Sequence, residues 1–261
     1  MEIEKLQREK IKIFTKYLEK YKLLNDESIN KIKKYLTLYK EKKNTYKVLG
    51  KNFVEGSARN NDKIINIIIE NFQEFKNKLF LLDIKIIVKI IERSYIILDK
   101  KLFGYTIPNY KVIKKIKKLA ENKCILEVGA GCGLWAGLLK KINVNIIPID
   151  IKKCKTRYTQ IYLCDNITAL EKYNCEILML IWPDIDDDMA YNTLKAFKNN
   201  IFIYIGESEG GACANDKFFD LLKRKWNLIY SEYIIAFWYD ISDGKLNELN
   251  DEHKIYIYKR K

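Results

Sequence analysis

The sequence predicts an α/β fold, a seven-stranded sheet preceded by an all-helical extension, and three observations carry that expectation. From residue 124 onward short apolar runs alternate with helical patterns, the order that gives a mainly parallel sheet with helices on both faces. Before that point only helical periodicity is found. Where the two regimes meet, Ile125-Leu126-Glu127-Val128-Gly129-Ala130-Gly131-Cys132-Gly133 reads as a buried strand entering a glycine turn, with a helix from Leu134 to Lys140 behind it.

The N-terminal part reads as helices over 5–24 (Leu6, Ile13, Phe14, Tyr17, Leu18, Tyr21) and 28–40 (Ile29, Ile32, Leu36, Tyr39), each with a lysine-rich outer face. Gly50 to Asp62 reads as a loop, and helices follow over Ile64 to Phe75 and Asp83 to Leu98. Phe103 to Pro108 reads as a turn that ends this block, which sets domains at 1–103 and 104–261. A helix from Asn109 to Ala120 carries Val112, Ile113, Ile116 and Leu119 on one side. Strands are expected at 124–128, 145–150, 160–164, 176–181, 201–205, 227–236 and 254–259, with helices at 166–173 and Asp216 to Trp226. Pro148 stands against the second strand, since proline cannot donate to a ladder; a frayed strand end would tolerate it.

With 261 residues, 48% of them hydrophobic, the chain can bury a full core and hold one enzyme domain plus an extension. The most apolar window, Leu79 to Leu98, is interrupted by five charged residues, so no membrane contact is expected. The six cysteines form no C-x-x-C pair and read as small apolar fillers, and the start of the chain has no signal-peptide core. The expectation is a reducing, intracellular, cytoplasmic protein without structural zinc. Residues 1–120 hold 29 Lys and Arg against 14 Asp and Glu; the remainder holds 19 against 20, so the net charge of +14 resides in the N-terminal part. A segregated positive surface suits a nucleic-acid contact. The same count follows from codon bias, since the chain is crowded with Ile, Asn, Lys and Tyr and only six of its 48 basic residues are Arg.

Glycines at 129, 131 and 133 let backbone approach a ligand closely, and the helix behind them points free N–H groups at the same place. A dinucleotide fingerprint requires Gly or Ala where this chain has Leu134. Instead Glu127 followed by G-x-G-x-G resembles motif I of the class I S-adenosylmethionine (SAM) dependent methyltransferases. That resemblance implies SAM as cofactor and a Rossmann-like methyltransferase sheet ending in antiparallel sixth and seventh strands. It implies cofactor contacts from Glu127, Gly129, Ala130, Gly131 and Gly133. Asp150, at the end of the second strand, would accept the ribose hydroxyls, or else cap the following segment. Asp165, after the third strand, would contact the adenine amine or cap the helix from 166.

After the fourth strand comes Trp182-Pro183-Asp184, where many amine methyltransferases have Asp/Asn/Ser-Pro-Pro-aromatic; Trp182 takes the polar position and Asp184 the second proline. Trp182 can stack on a flat substrate or serve as a core aromatic, Asp184 can act as acceptor or base, and Asp186 to Asp188 can cap the next helix. Glu207, after the fifth strand, either faces the sulfonium or is an exposed loop acid. The pieces W-P-x-x-D-D-x-M-A, Y-x-G-E-x-x-G-G and D-x-F-F-x-x-L, with Gly104-x-x-Ile107-Pro108, resemble a methyltransferase-like family of bacteria, fungi and large viruses over about 104–261. Its members generally lack the helical N-terminal block. The resemblance implies methyl transfer to a small molecule, a protein or RNA, with Trp182, Asp184 and Glu207 as the catalytic candidates. The alternative is an inactive SAM-fold module that binds nucleic acid or a protein partner through the basic helices. The only histidine, His253, reads as a surface residue.

Overall fold

A computed structural model describes residues 15–42, 66–81, 103–236 and 253–261. The chain divides into two compact units, Met1–Leu102 and Phe103–Lys261. The calls at 5–14, 50–62 and 83–98 lie outside the described residues.

In the first unit a helix over 15–20 ends at Lys22, whose φ is 47°, and α1 (Asp26–Lys42) follows. Asn25 caps α1 by accepting from the Ser28 N–H at 2.8 Å. A second helical stretch breaks at Asn71 and continues as α2 (Phe72–Leu81). Leu18, Leu23, Ile29, Ile32, Ile68 and Phe75 are buried, as their helical spacing requires.

The second unit is the α/β sheet. Its elements are β1 (Thr106–Ile107), α3 (Tyr110–Ala120), β2 (Ile125–Val128), α4 (Leu134–Lys141), β3 (Ile146–Asp150), β4 (Tyr162–Leu163), α5 (Asn166–Lys172), β5 (Ile177–Ile181), α6 (Met189–Ala196), β6 (Ile201–Gly206), α7 (Asp216–Lys225), β7 (Trp226–Tyr233), β8 (Ile235–Ala236) and β9 (Lys254–Arg260). Seven strands form one sheet in the order β4-β3-β2-β5-β6-β9-β7. The first five are parallel, while β9 runs antiparallel to both β6 and β7.

Alternate residues of the central strands, Leu126 and Val128, Leu178 and Leu180, Phe202 and Tyr204, share one core with Ala169, Leu194, Phe218 and Leu222 of α5, α6 and α7. That is the period of two expected of a pleated strand. Glu127, between Leu126 and Val128, therefore turns to the opposite face.

Three expectations are corrected. Phe103–Pro108 is not a bare turn: Thr106 and Ile107 pair with Ala236 and Ile235, while Trp135 of α4 donates its indole N–H to Thr106 Oγ1 at 3.1 Å. The stretch 227–236 is accordingly not one strand, because β8 leaves the large sheet to make that pair. Cys124 and Cys175, read as apolar fillers, form a disulfide just before the adjacent strands β2 and β5. Pro148 is accommodated without fraying. The carbonyls of Asn145 and Ile149 accept from Ile125 and Ala130, so the proline nitrogen faces the other neighbour, β4, whose pairing begins only at Ile149.

Candidate functional site

The glycine loop lies at the carboxyl end of β2, beside the point where the chain order reverses between β2 and β5; open α/β sheets bind ligands in the crevice at such a point. Four hydrogen bonds fix its shape. Ala130 N–H donates to Ile149 O, Gly133 N–H to Ala130 O, Tyr158 N–H to Cys132 O, and Gly131 N–H to Asp150 Oδ2 at 2.8 Å. Gly131 has a φ of +56°, and a Cβ built on it meets no atom within 4 Å, so this residue borders open space.

Asp150 ends β3 with its second oxygen accepting from Lys152 N–H at 2.9 Å. Each carboxylate oxygen can accept more than once, so the group retains capacity for ligand hydroxyls. Immediately beyond it Ile151 is 70% exposed, and Leu163, in register with Asp150 on the edge strand, and Ile167 of α5 are exposed as well. Apolar side chains left in water around a carboxylate suit a ligand with a flat apolar part and hydroxyls beside it. Asp165 takes the capping role left open by the sequence: its Oδ1 accepts from Ile167 and Thr168 N–H at the start of α5.

Glu127 is 1% exposed, and its Oε2 has no hydrogen-bond partner. Desolvation pushes its carboxyl up to about 8; Lys140 opposes the rise, Asp150 adds to it, and the backbone N–H of Ala136 in the first turn of α4 opposes it again. The carboxyl therefore sits beneath the helix that the glycine loop opens. An orphaned oxygen in such a place is costly unless a donor arrives.

A second group gathers at the carboxyl ends of β5 and β6. Trp182 follows β5 with a φ of 50°, rare for a bulky residue, and its N–H donates to Ile205 O at 2.7 Å. Its ring packs against the core and stacks on Tyr105 (centroids 5.7 Å, 3°) and on His253 (5.1 Å, 24°). Both readings of Trp182 thus meet in one residue, half core and half cleft. Glu207 is no exposed loop acid: it is 8% exposed, with Oε1 3.6 Å from His253 Nδ1 and Oε2 accepting from Ala212 N–H. The loop wraps so closely that a Cβ on Gly211 would lie 2.5 Å from Glu207 Oε2. Asp184 stands apart. It is exposed and turned back to accept from Asp186 N–H, while its backbone bridges to Cys213. Asp187 and Asp188 anchor α6 and α7: Asp187 accepts from Met189 N–H, and Asp188 accepts from Asn215 and pairs with Lys217 at 2.8 Å.

His253 is the residue that sequence reasoning misplaced. It is 7% exposed, not a surface group. Pairing of β9 with β6 sets Lys254 opposite Gly206 and so brings His253 beside Glu207. The signal was available only to a reading that places the last strand next to the fifth. Tyr105 was likewise missed, because its place depends on the β1–β8 pair and the Trp135 anchor.

No protein-family model matches the chain, and no curated protein matches it. Solved structures similar to it include a protein assigned to the SAM-dependent methyltransferases from Streptococcus mutans (12% identity over 57% of this chain and 48% of that one, TM-score 0.40). A protein of the NADB-Rossmann superfamily from Streptococcus agalactiae is similar at 10% identity over 59% and 70% (TM-score 0.40). A SAM-dependent O-methyltransferase from Thermotoga maritima is similar at 12% over 59% and 66% (TM-score 0.36). The chain spans about half the length of the Streptococcus mutans protein. Likeness at this level assigns no activity.

Proposed function

We propose that the second unit binds S-adenosylmethionine and transfers its methyl group. The observation that carries the reading is the junction of Gly131 and Asp150: a rigid glycine turn facing open space, with a carboxylate of spare capacity bonded to it. The residues fit SAM part by part. Glu127, Gly129, Ala130, Gly131 and Gly133 would hold the methionine portion, with the orphaned Glu127 oxygen suited to its ammonium. Asp150 would take the ribose hydroxyls, and Ile151, Leu163 and Ile167 would flank the adenine with Asp165 at the rim. Trp182, Asp184 and Glu207 would line the acceptor side.

When bound, SAM supplies a methyl group already activated by its sulfonium. The protein's share is to align a nucleophile and exclude water. The stiff glycine loop and the aromatic stack serve those two tasks, and the aromatic faces and Glu207 favour a nearby positive charge.

Titration of the full chain with SAM and then with NAD, followed by calorimetry, tests the reading. SAM binding at a single site, lost in Gly131→Val while the variant keeps its fold, is the expected result. Tighter binding of NAD, or SAM affinity unchanged in Gly131→Val, overturns it.

A further inference from the structure

His253 is the chain's only histidine, and the fold carries it from a sequence-distant strand to the carboxyl end of β6. Four features there are more than a core requires. The Glu207 carboxylate lies 3.6 Å from Nδ1, and Ala212 N–H pins its other oxygen. Gly211 leaves no room for a side chain that would push the carboxylate away. Trp182 lies along the imidazole plane from a backbone conformation that costs energy to hold. Trp182 in turn follows β5, next to the strand that ends in the glycine loop.

A carboxylate at Nδ1 selects the tautomer with its proton on that nitrogen, which leaves the lone pair on Nε2. We propose that His253 is the general base for a hydroxyl acceptor, with Glu207 its positioning residue. The proposal rests on the SAM reading above. In the step it implies, an oxygen lone pair forms the new O–CH3 bond as the C–S bond breaks and its electron pair returns to sulfur. The O–H proton passes to Nε2, and Glu207 balances the imidazolium. Such a base matters for a hydroxyl, which is a poor nucleophile while it keeps its proton, and not for a free amine, which attacks with a lone pair it already has. The assignment agrees with the loop sequence, where Trp182 replaces the polar side chain expected to accept from an amine N–H.

One histidine gives one set of imidazole signals, so nitrogen-15 spectra of the full chain report its tautomer directly. Neutral His253 is expected as the Nδ1–H form, with the population moving toward Nε2–H in Glu207→Gln. A dominant Nε2–H form in the wild type, or identical spectra in the two proteins, overturns the proposal. Catechol added to the protein saturated with S-adenosylhomocysteine should shift the Nε2 resonance; an Nε2 signal indifferent to catechol overturns the hydroxyl assignment. Calorimetry separates this proposal from the reading beneath it. His253→Asn should bind SAM within about twofold of wild type, since the base faces the acceptor. Loss of SAM affinity in that variant makes His253 part of the cofactor site and overturns the base. Absence of SAM binding in the wild type instead overturns the underlying function.

Discussion

A buried acid with an unfilled oxygen leaves a signature in two equilibria. The Glu127 carboxyl titrates near 8 in the folded chain against 4.5 ordinarily, because burial disfavours its charge. Below 4.5 it is protonated in both states. As pH rises toward 8 the unfolded state ionises first, so stability falls by up to about 1.4 kcal/mol per pH unit, and the loss is complete above 8. Glu127→Gln should remove that decline, visible as unfolding midpoints that diverge from wild type between pH 5.5 and 7.5; parallel curves would show that the folded carboxylate is ionised throughout. Ligand binding should reveal the same proton. An ammonium docked on Oε2 favours the carboxylate, so SAM binding at pH 7 releases a proton, measurable by calorimetry in buffers of different ionisation enthalpy. Asp150 acts on the loop as well as on the ligand, since it holds the Gly131 N–H. Asp150→Ala should weaken SAM by roughly 1.5–3 kcal/mol and Asp150→Asn by less, because the amide retains an oxygen acceptor.

Elements were the most legible level of the sequence. The strands at 124–128, 145–150, 176–181 and 201–205 fall within a residue or so of β2, β3, β5 and β6, because buried parallel strands are short continuous apolar runs and glycine or Asx residues punctuate them. What escaped were features set by pairing between distant segments: the two-residue β1, the departure of β8, and the buried place of His253. Local pattern carries no information about which edge a strand will join. The candidate cofactor residues were legible because a glycine turn and its carboxylate lie within one βαβ unit, whereas the acceptor side is assembled from 105, 182, 207 and 253. One element boundary does double duty. Asn215 caps α7 by accepting from Phe218 N–H at 3.2 Å and donates to Asp187 O and Asp188 Oδ1 across to α6. Asn215→Ala should cost about 1–2 kcal/mol in denaturant unfolding, the scale of a lost cap, and loosen the 184–188 loop in hydrogen exchange.

For the molecule as a whole, the Cys124–Cys175 bond closes a loop of 51 residues around the first half of the sheet. Chain entropy values such a closure at about 4 kcal/mol. Thiol titration in denaturant without reductant should find four reactive cysteines, 132, 154, 164 and 213, and Cys124→Ser should lower the unfolding midpoint. Six reactive thiols would mean that the bond is absent in solution. The basic surplus of residues 1–120 leads us to propose a nucleic-acid contact for that part of the chain. Retention of the full chain on immobilised RNA should then fall steeply and linearly in log affinity against log salt; a flat dependence removes the proposal.

The insertion of β9 between β6 and β7 also governs the order of events during synthesis. A nascent chain that has emerged through residue 233 has made every strand of the large sheet except the one that joins β7 to the rest. At about 5–20 residues per second, the ribosome delivers β9 a few seconds later. Until then β6 presents an open edge, the slot filled by Ile255 and Ile257 is empty, and β7 has no partner. That interval is the chain's greatest exposure to misassembly and to chaperones. The histidine arrives with the same strand, so the pairing that completes the sheet also completes the acceptor side.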